Sequence, residues 1–132
     1  MGNPIEVVLQ FERLINSRDP KAVCEHLTPD SVFIDSLGNR VEGAMKMLPA
    51  WEGYFKMVPD YAISHSEIFA NGNVVALFGT ANGTLAQEGK LSKDDFWQTP
   101  AAWCAIVRDG KIALWQVFAD NEPIRAIMRK HQ

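Results

Sequence analysis

The sequence predicts an α+β fold in which helices pack against one face of a curved antiparallel sheet. Up to about residue 58, apolar residues recur at helical spacing, whereas from Pro59-Asp60 onward they alternate with a period of two. Two turn signals, at residues 70–73 and at Asp109-Gly110, each separate a pair of alternating runs, as in β-hairpins. Helices that come first and strands that follow are typical of this class.

Two helices are predicted at the start of the chain. Residues 4–17 carry apolar side chains at helical spacing, with Asn3 as the N-cap and Pro4 at the first helical position. Asp19 is placed to cap a second, short helix, and Thr28-Pro29-Asp30 ends it, because the residue before a proline avoids helical geometry.

A short strand and a third helix follow. Residues 31–36 alternate, and Gly38-Asn39 turns the chain into a short strand at Arg40-Val41. Residues 43–58 have an apolar side at helical spacing. Pro49 removes one backbone hydrogen bond there, so we expect it to kink or restart this helix.

Four long strands are predicted in the second half of the chain. Their ranges are 61–69, 74–85, 99–108 and 111–119. Between the two hairpins, residues 87–98 are polar and charged, which predicts a loop that forms a rim or lid. Residues 122–130 are predicted to form a closing helix.

Composition narrows the class of protein. The 132 residues fit one domain, residues 1–132. The net charge of −3 and the lack of a basic run argue against nucleic-acid binding, and no apolar run approaches the ~20 residues that a membrane span needs. No secretory signal follows Met1, and Cys24 and Cys104 lie far apart, so we expect a cytoplasmic protein with reduced thiols.

Three segments carry a family resemblance: LTPDSVFIDSLGNRVEG, YFKMVPDYAISHSEIFANGNVVALFGTANGT and VRDGKIALWQVFAD. Together they resemble the NTF2-like superfamily, and most closely its SnoaL-like branch, which also resembles ketosteroid isomerase and limonene-epoxide hydrolase. The resemblance implies a cystatin-like cone, in which a strongly bent sheet wraps around about three helices and leaves a pocket at its open end. The superfamily includes isomerases, hydrolases, cyclases, ligand binders and non-catalytic modules, so the fold alone selects no activity.

Asp35 is the first catalytic candidate. By resemblance, its position in SVFIDSLGN corresponds to the general base of ketosteroid isomerases. A carboxylate held between aromatic walls loses solvation, so we expect its pKa to be raised. Such a base would take a proton alpha to a carbonyl group and return it elsewhere. The alternative is that Asp35 caps the turn through Ser36–Asn39 or pairs with Arg40.

The other catalytic groups of the two model enzymes are not matched. Phe11 and Trp103 stand where ketosteroid isomerase has its two oxyanion donors, and only the Trp103 indole can donate a hydrogen bond. Limonene-epoxide hydrolase uses an Asp–Arg–Asp set. Here the middle strand FGTANGT lacks the Arg and its partner Asp, and Val117 stands at the second Asp.

Two further residues are candidate partners of Asp35. Asp120 closes the last strand, near the position where related cyclases place an acid/base residue, and the alternative is a strand-end or helix-capping role. His65 lies in the middle of a strand and would act as a base or proton relay if it faced the pocket. The alternative for His65 is a half-exposed position paired with Glu67.

The sequence therefore predicts a small-molecule pocket protein, an acid/base enzyme of isomerase, cyclase or hydrolase type that needs no cofactor or metal. The catalytic candidates are Asp35, Asp120 and His65, and the ligand is an apolar carbonyl compound or a polyketide-, terpene- or steroid-like molecule. The predicted ligand-binding residues are Phe11, Trp51, Tyr54, Phe55, Trp97, Trp103 and Val117. The alternative is a non-catalytic ligand-binding or dimerisation module. The last strands are apolar on both faces, so we expect a homodimer through the outer sheet face.

Overall fold

The computed structural model describes residues 3–132, and its elements follow the predicted order. The helices are α1 (Pro4–Ser17), α2 (Pro20–Glu25), α3 (Ala44–Met57) and α4 (Glu122–Lys130). The strands are β1 (Leu27–Ile34), β2 (Arg40–Glu42), β3 (Ala62–Asn71), β4 (Val74–Thr84), β5 (Phe96–Arg108) and β6 (Lys111–Ala119). The predicted α+β class is confirmed.

The strands form a six-stranded sheet in the order β2-β1-β6-β5-β4-β3. Strand β1 pairs with β6 in parallel, and the other neighbours pair antiparallel, so the sheet is mixed rather than purely antiparallel. Parallel strands require a long connection, and here the elements from β2 to β5 supply it. This pairing brings the first strand of the chain beside its last.

Local signals set the ends of several elements as predicted. The Asn3 side chain accepts a hydrogen bond from the Ile5 amide at 2.9 Å and caps α1. Asp19 caps α2 in the same way, through the amides of Lys21 and Ala22. The β5–β6 turn has positive φ at both Asp109 and Gly110, the geometry of the two-residue turn that the sequence predicts.

Two predicted strand boundaries are wrong, and one of the two alternatives at Pro49 is excluded. Strand β1 begins at Leu27 and ends at Ile34, so Asp35 lies in the turn that follows it. Helix α3 runs through Pro49 as one helix, so it does not restart there, and the kink stays a prediction. Strand β5 begins at Phe96, inside the predicted loop, after a 3₁₀ turn over Lys93–Asp95.

The two faces of the sheet have different surroundings. On the inner face, Leu77, Trp103 and Trp115 are buried, and the Trp115 ring meets Phe11 of α1 edge-on at 4.9 Å. On the outer face, Phe78 and Phe118 both lie opposite Ala102 in the register and are about half exposed. The helices therefore cover one face of the sheet only.

Within residues 3–132, no helix is long and apolar enough to cross a membrane.

Candidate functional site

A cavity of about 340 Å³ lies between α3, β1 and the inner face of the sheet. All four tryptophans and both tyrosines of the sequence line it: Trp51, Trp97, Trp103, Trp115, Tyr54 and Tyr61. Its volume is at the small end of the range for ligand pockets, and an aromatic lining is typical of them.

The sheet supplies the floor of the cavity. Trp103 of β5 and Trp115 of β6 stack with ring centroids 6.4 Å apart, and both are almost fully buried. Ala81 and Ala119, also in the lining, leave open space because their side chains end at Cβ. Alternation along the strands places these residues on the same face.

Helix α3 and strand β1 supply the opposite wall. Trp51 meets Phe33 of β1 edge-on at 6.0 Å and lies 5.3 Å from Phe55 of its own helix. Phe33 and Trp51 line the cavity, whereas Phe55 packs behind Trp51. Such edge-on and tilted contacts hold the rings in fixed orientations.

One wall of the cavity, formed by Tyr54, Tyr61 and Trp97, carries hydrogen-bond donors. We call it the interior wall. The two phenol rings meet at right angles with centroids 4.9 Å apart, and the Tyr61 ring lies 6.2 Å from Trp97. Burial raises the pKa of Tyr54, and burial and then the neighbouring Tyr54 raise the pKa of Tyr61. Both phenols therefore stay protonated and able to donate.

Asp35 lies at the mouth of the cavity, which we define by Asp35, Ser36 and Asn121. Its Oδ1 accepts hydrogen bonds at 2.9 Å from the amides of both Leu37 and Asn39, and its Oδ2 accepts one at 3.1 Å from the Asn39 side chain. These hydrogen bonds form the turn cap that the sequence predicts as the alternative role of Asp35. The other alternative, a pair with Arg40, is not formed, because Arg40 instead faces Glu42.

The pKa expected for Asp35 is wrong in direction. Partial burial does raise the pKa of this carboxyl, but the hydrogen bonds from Asn39, Leu37 and Gly38 lower it by more, so it lies below its usual value. The carboxylate is thus charged at neutral pH and faces a largely apolar cavity. Whether it acts as a base remains a prediction.

The rest of the mouth is polar. The Asn121 side chain donates to Ser36 Oγ at 2.5 Å and so connects the start of α4 to the turn after β1. Thr99, also in the lining, donates its hydroxyl to the Asp120 carbonyl at 3.0 Å. These hydrogen bonds connect the segment after β6 to the turn after β1 and to β5 at the edge of the cavity.

The other two catalytic candidates lie outside the cavity lining. The exposed Asp120 side chain accepts from the Glu122 amide, which matches the predicted helix-capping alternative. His65 Nδ1 lies 2.8 Å from the buried carboxylate of Glu12 in α1, so its partner is Glu12 and not Glu67. The structure does not bring Asp120 and His65 together with Asp35, and their catalytic roles remain predictions.

Five of the predicted ligand-binding residues line the cavity: Trp51, Tyr54, Trp97, Trp103 and Val117. Phe11 and Phe55 do not, because both rings fill the core behind the lining. Three aromatic residues of the lining were not predicted from the sequence: Phe33, Tyr61 and Trp115. Trp115 could have been found, since strand alternation places it on the same face as Val117.

No group of three His, Cys, Asp or Glu side chains in residues 3–132 is arranged to hold a metal ion.

In a comparison with protein families, the model of the SnoaL-like domain matches residues 8–115. A search of curated proteins finds no match.

Solved structures share the fold at low sequence identity. IdmH from Streptomyces antibioticus, a candidate polyketide cyclase, is 21% identical with a TM-score of 0.78, over 97% of this chain and 99% of that one. A candidate SnoaL-like polyketide cyclase from Shewanella putrefaciens is 14% identical with a TM-score of 0.82, over 98% and 88%. A protein with a ketosteroid isomerase-like fold from Catenulispora acidiphila is 15% identical with a TM-score of 0.80, over 92% and 90%.

Proposed function

The chain belongs to the SnoaL-like domain family, and from that premise we propose that it takes a small, largely apolar carbonyl compound into its cavity and performs acid/base chemistry on it without a cofactor. One observation carries the proposal. Asp35 is the one carboxylate among the described residues that line the aromatic cavity. A carboxylate positioned beside an apolar pocket can act as the general base for proton abstraction from carbon.

The lowered pKa of Asp35 narrows the substrate class. A weakly basic carboxylate removes a proton efficiently only from a fairly acidic carbon, such as a CH₂ between two carbonyl groups. Such β-dicarbonyl units recur along polyketide chains. IdmH and the Shewanella putrefaciens protein, which share the fold, are candidate polyketide cyclases, and this agrees with the proposed class.

The proposed reaction balances without an external oxidant or reductant. Asp35 takes the CH₂ proton, and the electron pair of the broken C–H bond moves to the carbonyl oxygen as an enolate. The enolate then either takes the proton from Asp35 on its oxygen, which gives the enol isomer, or attacks a second carbonyl of the same molecule through its carbon, which closes a ring. In the second case the new alkoxide takes the proton back from Asp35.

Deuterium exchange tests the proton abstraction without knowledge of the natural substrate. We expect the protein to accelerate exchange at the CH₂ of 1-phenylbutane-1,3-dione in D₂O, followed by proton NMR. Asp35→Asn should lose this acceleration by about a hundredfold or more, because the amide cannot act as a base but its oxygen still accepts the turn hydrogen bonds. Asp30→Asn is the matched control, since Asp30 is an exposed aspartate of β1 that pairs with Arg108.

Equal acceleration by the wild type and Asp35→Asn would remove Asp35 as the base. Acceleration lost equally in Asp30→Asn would point to damage to the fold.

A second function, ligand binding without chemistry, is favoured by one observation. Three hydrogen-bond donors already engage the Asp35 carboxylate, which makes it a good turn cap and a weaker base. Quenching of tryptophan fluorescence by the diketone, with no acceleration of exchange, would support this second function over the first.

We also propose that the protein is a homodimer through the outer sheet face. The exposed apolar side chains of this face come from four neighbouring strands: Phe69, Val74, Phe78, Ile106 and Phe118. A second copy would remove them from water. Light scattering at micromolar concentration should give twice the monomer mass, and Phe118→Glu should give the monomer. A monomeric wild type would contradict the proposal.

For the compartment, we propose the cytoplasm. Cys24 and Cys104 are both free thiols, on α2 and β5, which suits a reducing environment.

A further inference from the structure

The Trp97 indole is a buried donor without a partner. Trp97 is 6% exposed and lines the cavity, and its Nε1 makes no hydrogen bond to any residue in 3–132. A buried tryptophan N–H normally has a hydrogen-bond partner, because an unpaired one loses its bond to water without replacement. The Trp97 N–H therefore has no hydrogen-bond partner within the described protein.

The neighbours of Trp97 add donors of the same kind. Tyr61 lies beside it, with ring centroids 6.2 Å apart, and Tyr54 lies against Tyr61 at 4.9 Å. Both phenols line the cavity and remain neutral, so they offer O–H groups and no negative charge. The wall therefore contains three side chains that each carry a hydrogen-bond donor.

On the basis of the proposed uptake of a carbonyl compound, we propose that Trp97, Tyr61 and Tyr54 form an oxygen-binding subsite on the interior wall. Its specific element is the Trp97 N–H, which donates to a carbonyl oxygen of the ligand. An indole N–H can only donate, so the subsite selects an acceptor and gains nothing from a hydrocarbon of the same shape. The subsite orients the ligand with one oxygen inside the cavity and the remainder toward Asp35.

Ser31 provides a contrast within the same molecule. Its Oγ is the other buried side-chain nitrogen or oxygen atom in residues 3–132 without a hydrogen-bond partner. Ser31 does not line the cavity, so no ligand in the cavity can reach it. Only Trp97 combines a missing partner with open space beside its ring.

A pair of probes of nearly equal shape tests the subsite. 2-Acetylnaphthalene carries a carbonyl oxygen where 2-isopropenylnaphthalene carries a CH₂ group. We expect the wild type to bind the ketone about three- to tenfold more tightly, the range of one neutral hydrogen bond. Trp97→Phe should reduce this ratio to about one. Trp51→Phe is the matched control, because Trp51 lines the same cavity and should keep the ratio.

A second measurement uses the unmodified protein, in case Trp97→Phe does not fold. Each of the four indole N–H groups contributes one signal to a ¹H–¹⁵N NMR spectrum. We expect the ketone to move the Trp97 proton signal downfield, as hydrogen bonding does, and the alkene to leave it without that downfield shift.

The outcomes separate this subsite from the proposed function. Equal binding of both probes by the wild type would overturn the subsite and leave ligand uptake intact. The same conclusion would follow if the ketone-to-alkene affinity ratio were lost in Trp51→Phe as well as in Trp97→Phe. Binding of neither probe would overturn both proposals. A ratio lost in Trp97→Phe alone, or a downfield shift with the ketone alone, supports the subsite.

Discussion

The mouth and the interior wall of the cavity use hydrogen bonds in opposite ways. At the mouth, Asp35 accepts from three donors within its own turn, and Asn121 donates to Ser36. On the interior wall, the Trp97 N–H has no partner among the described residues. The polar groups of the mouth thus find their partners within the protein, whereas the interior wall keeps one donor without a protein partner, and our proposal assigns that donor to a ligand.

This difference separates two kinds of polar group that a sequence cannot tell apart. The sequence marks Asp35 as a catalytic candidate because it is a carboxylate beside an aromatic residue, but its hydrogen bonds hold its pKa low. Trp97 is a weaker candidate from sequence alone because tryptophan usually fills a core. A buried polar atom without a hydrogen-bond partner on the protein therefore marks a candidate ligand contact better than the residue type does.

The largest expected effect is a difference in the free energy of unfolding between a variant in the interior and one near the mouth. Trp103 lies beneath the cavity and is 1% exposed, so Trp103→Ala should lower the free energy of unfolding by about 3–5 kcal/mol. Leu37→Ala, in the turn next to the mouth and 62% exposed, should cost less than about 0.5 kcal/mol. Urea denaturation of both variants measures the difference, and similar losses would contradict a packed interior below an open mouth.

A second prediction concerns alkaline pH. The folded protein holds the pKa of both tyrosines above the ordinary value of about 10, so these groups stabilise it fully below pH 10. Above that pH the unfolded chain releases protons that the folded one keeps, and stability falls. Absorbance at 295 nm should stay flat past pH 10 and rise together with unfolding. A rise near pH 10 with the fold intact would show that the phenols are in water.

The local elements could be predicted from the sequence, whereas the long-range contacts could not. The Asn3 cap and the Asp109-Gly110 turn depend on neighbouring residues, and both form as predicted. The parallel pair of β1 and β6 joins opposite ends of the chain, and no local pattern encodes it. His65 meets Glu12, 53 positions away, although Glu67 was the nearer candidate.

The pKa of Asp35 could not be predicted for a related reason. Desolvation and hydrogen bonding change the pKa of a carboxyl in opposite directions, and the sequence gives no measure of either. The end of β1 decides which of the two effects is larger. Because the strand ends at Ile34, Asp35 lies in a turn whose backbone amides can donate to its carboxylate.

A third prediction measures the turn at the mouth. Asp35→Ala should cost about 1–2 kcal/mol in urea denaturation, because it leaves the amides of Leu37 and Asn39 without their acceptor. Asp35→Asn should cost less, since its amide oxygen keeps that role. Equal stability of the alanine variant and the wild type would mean that water replaces the carboxylate without loss.

The smallest effect is the pH dependence of that turn. The pKa of Asp35 is lower in the folded protein than in the unfolded chain, so its charge stabilises the fold above pH ~4, the unfolded value. That stabilisation is lost as the pH falls through the folded pKa. The stability difference between wild type and Asp35→Asn should therefore be constant from pH 5 to 8 and shrink below pH 4. A difference that grows toward acid pH would mean a raised pKa.

A crystal structure with 2-acetylnaphthalene bound would show whether the Trp97 N–H holds a carbonyl oxygen. We expect the ring system inside the aromatic cavity and the carbonyl oxygen about 2.7–3.2 Å from Trp97 Nε1. A ligand bound outside the cavity, or a carbonyl group that faces bulk water while the hydrocarbon lies against Trp97, would contradict it.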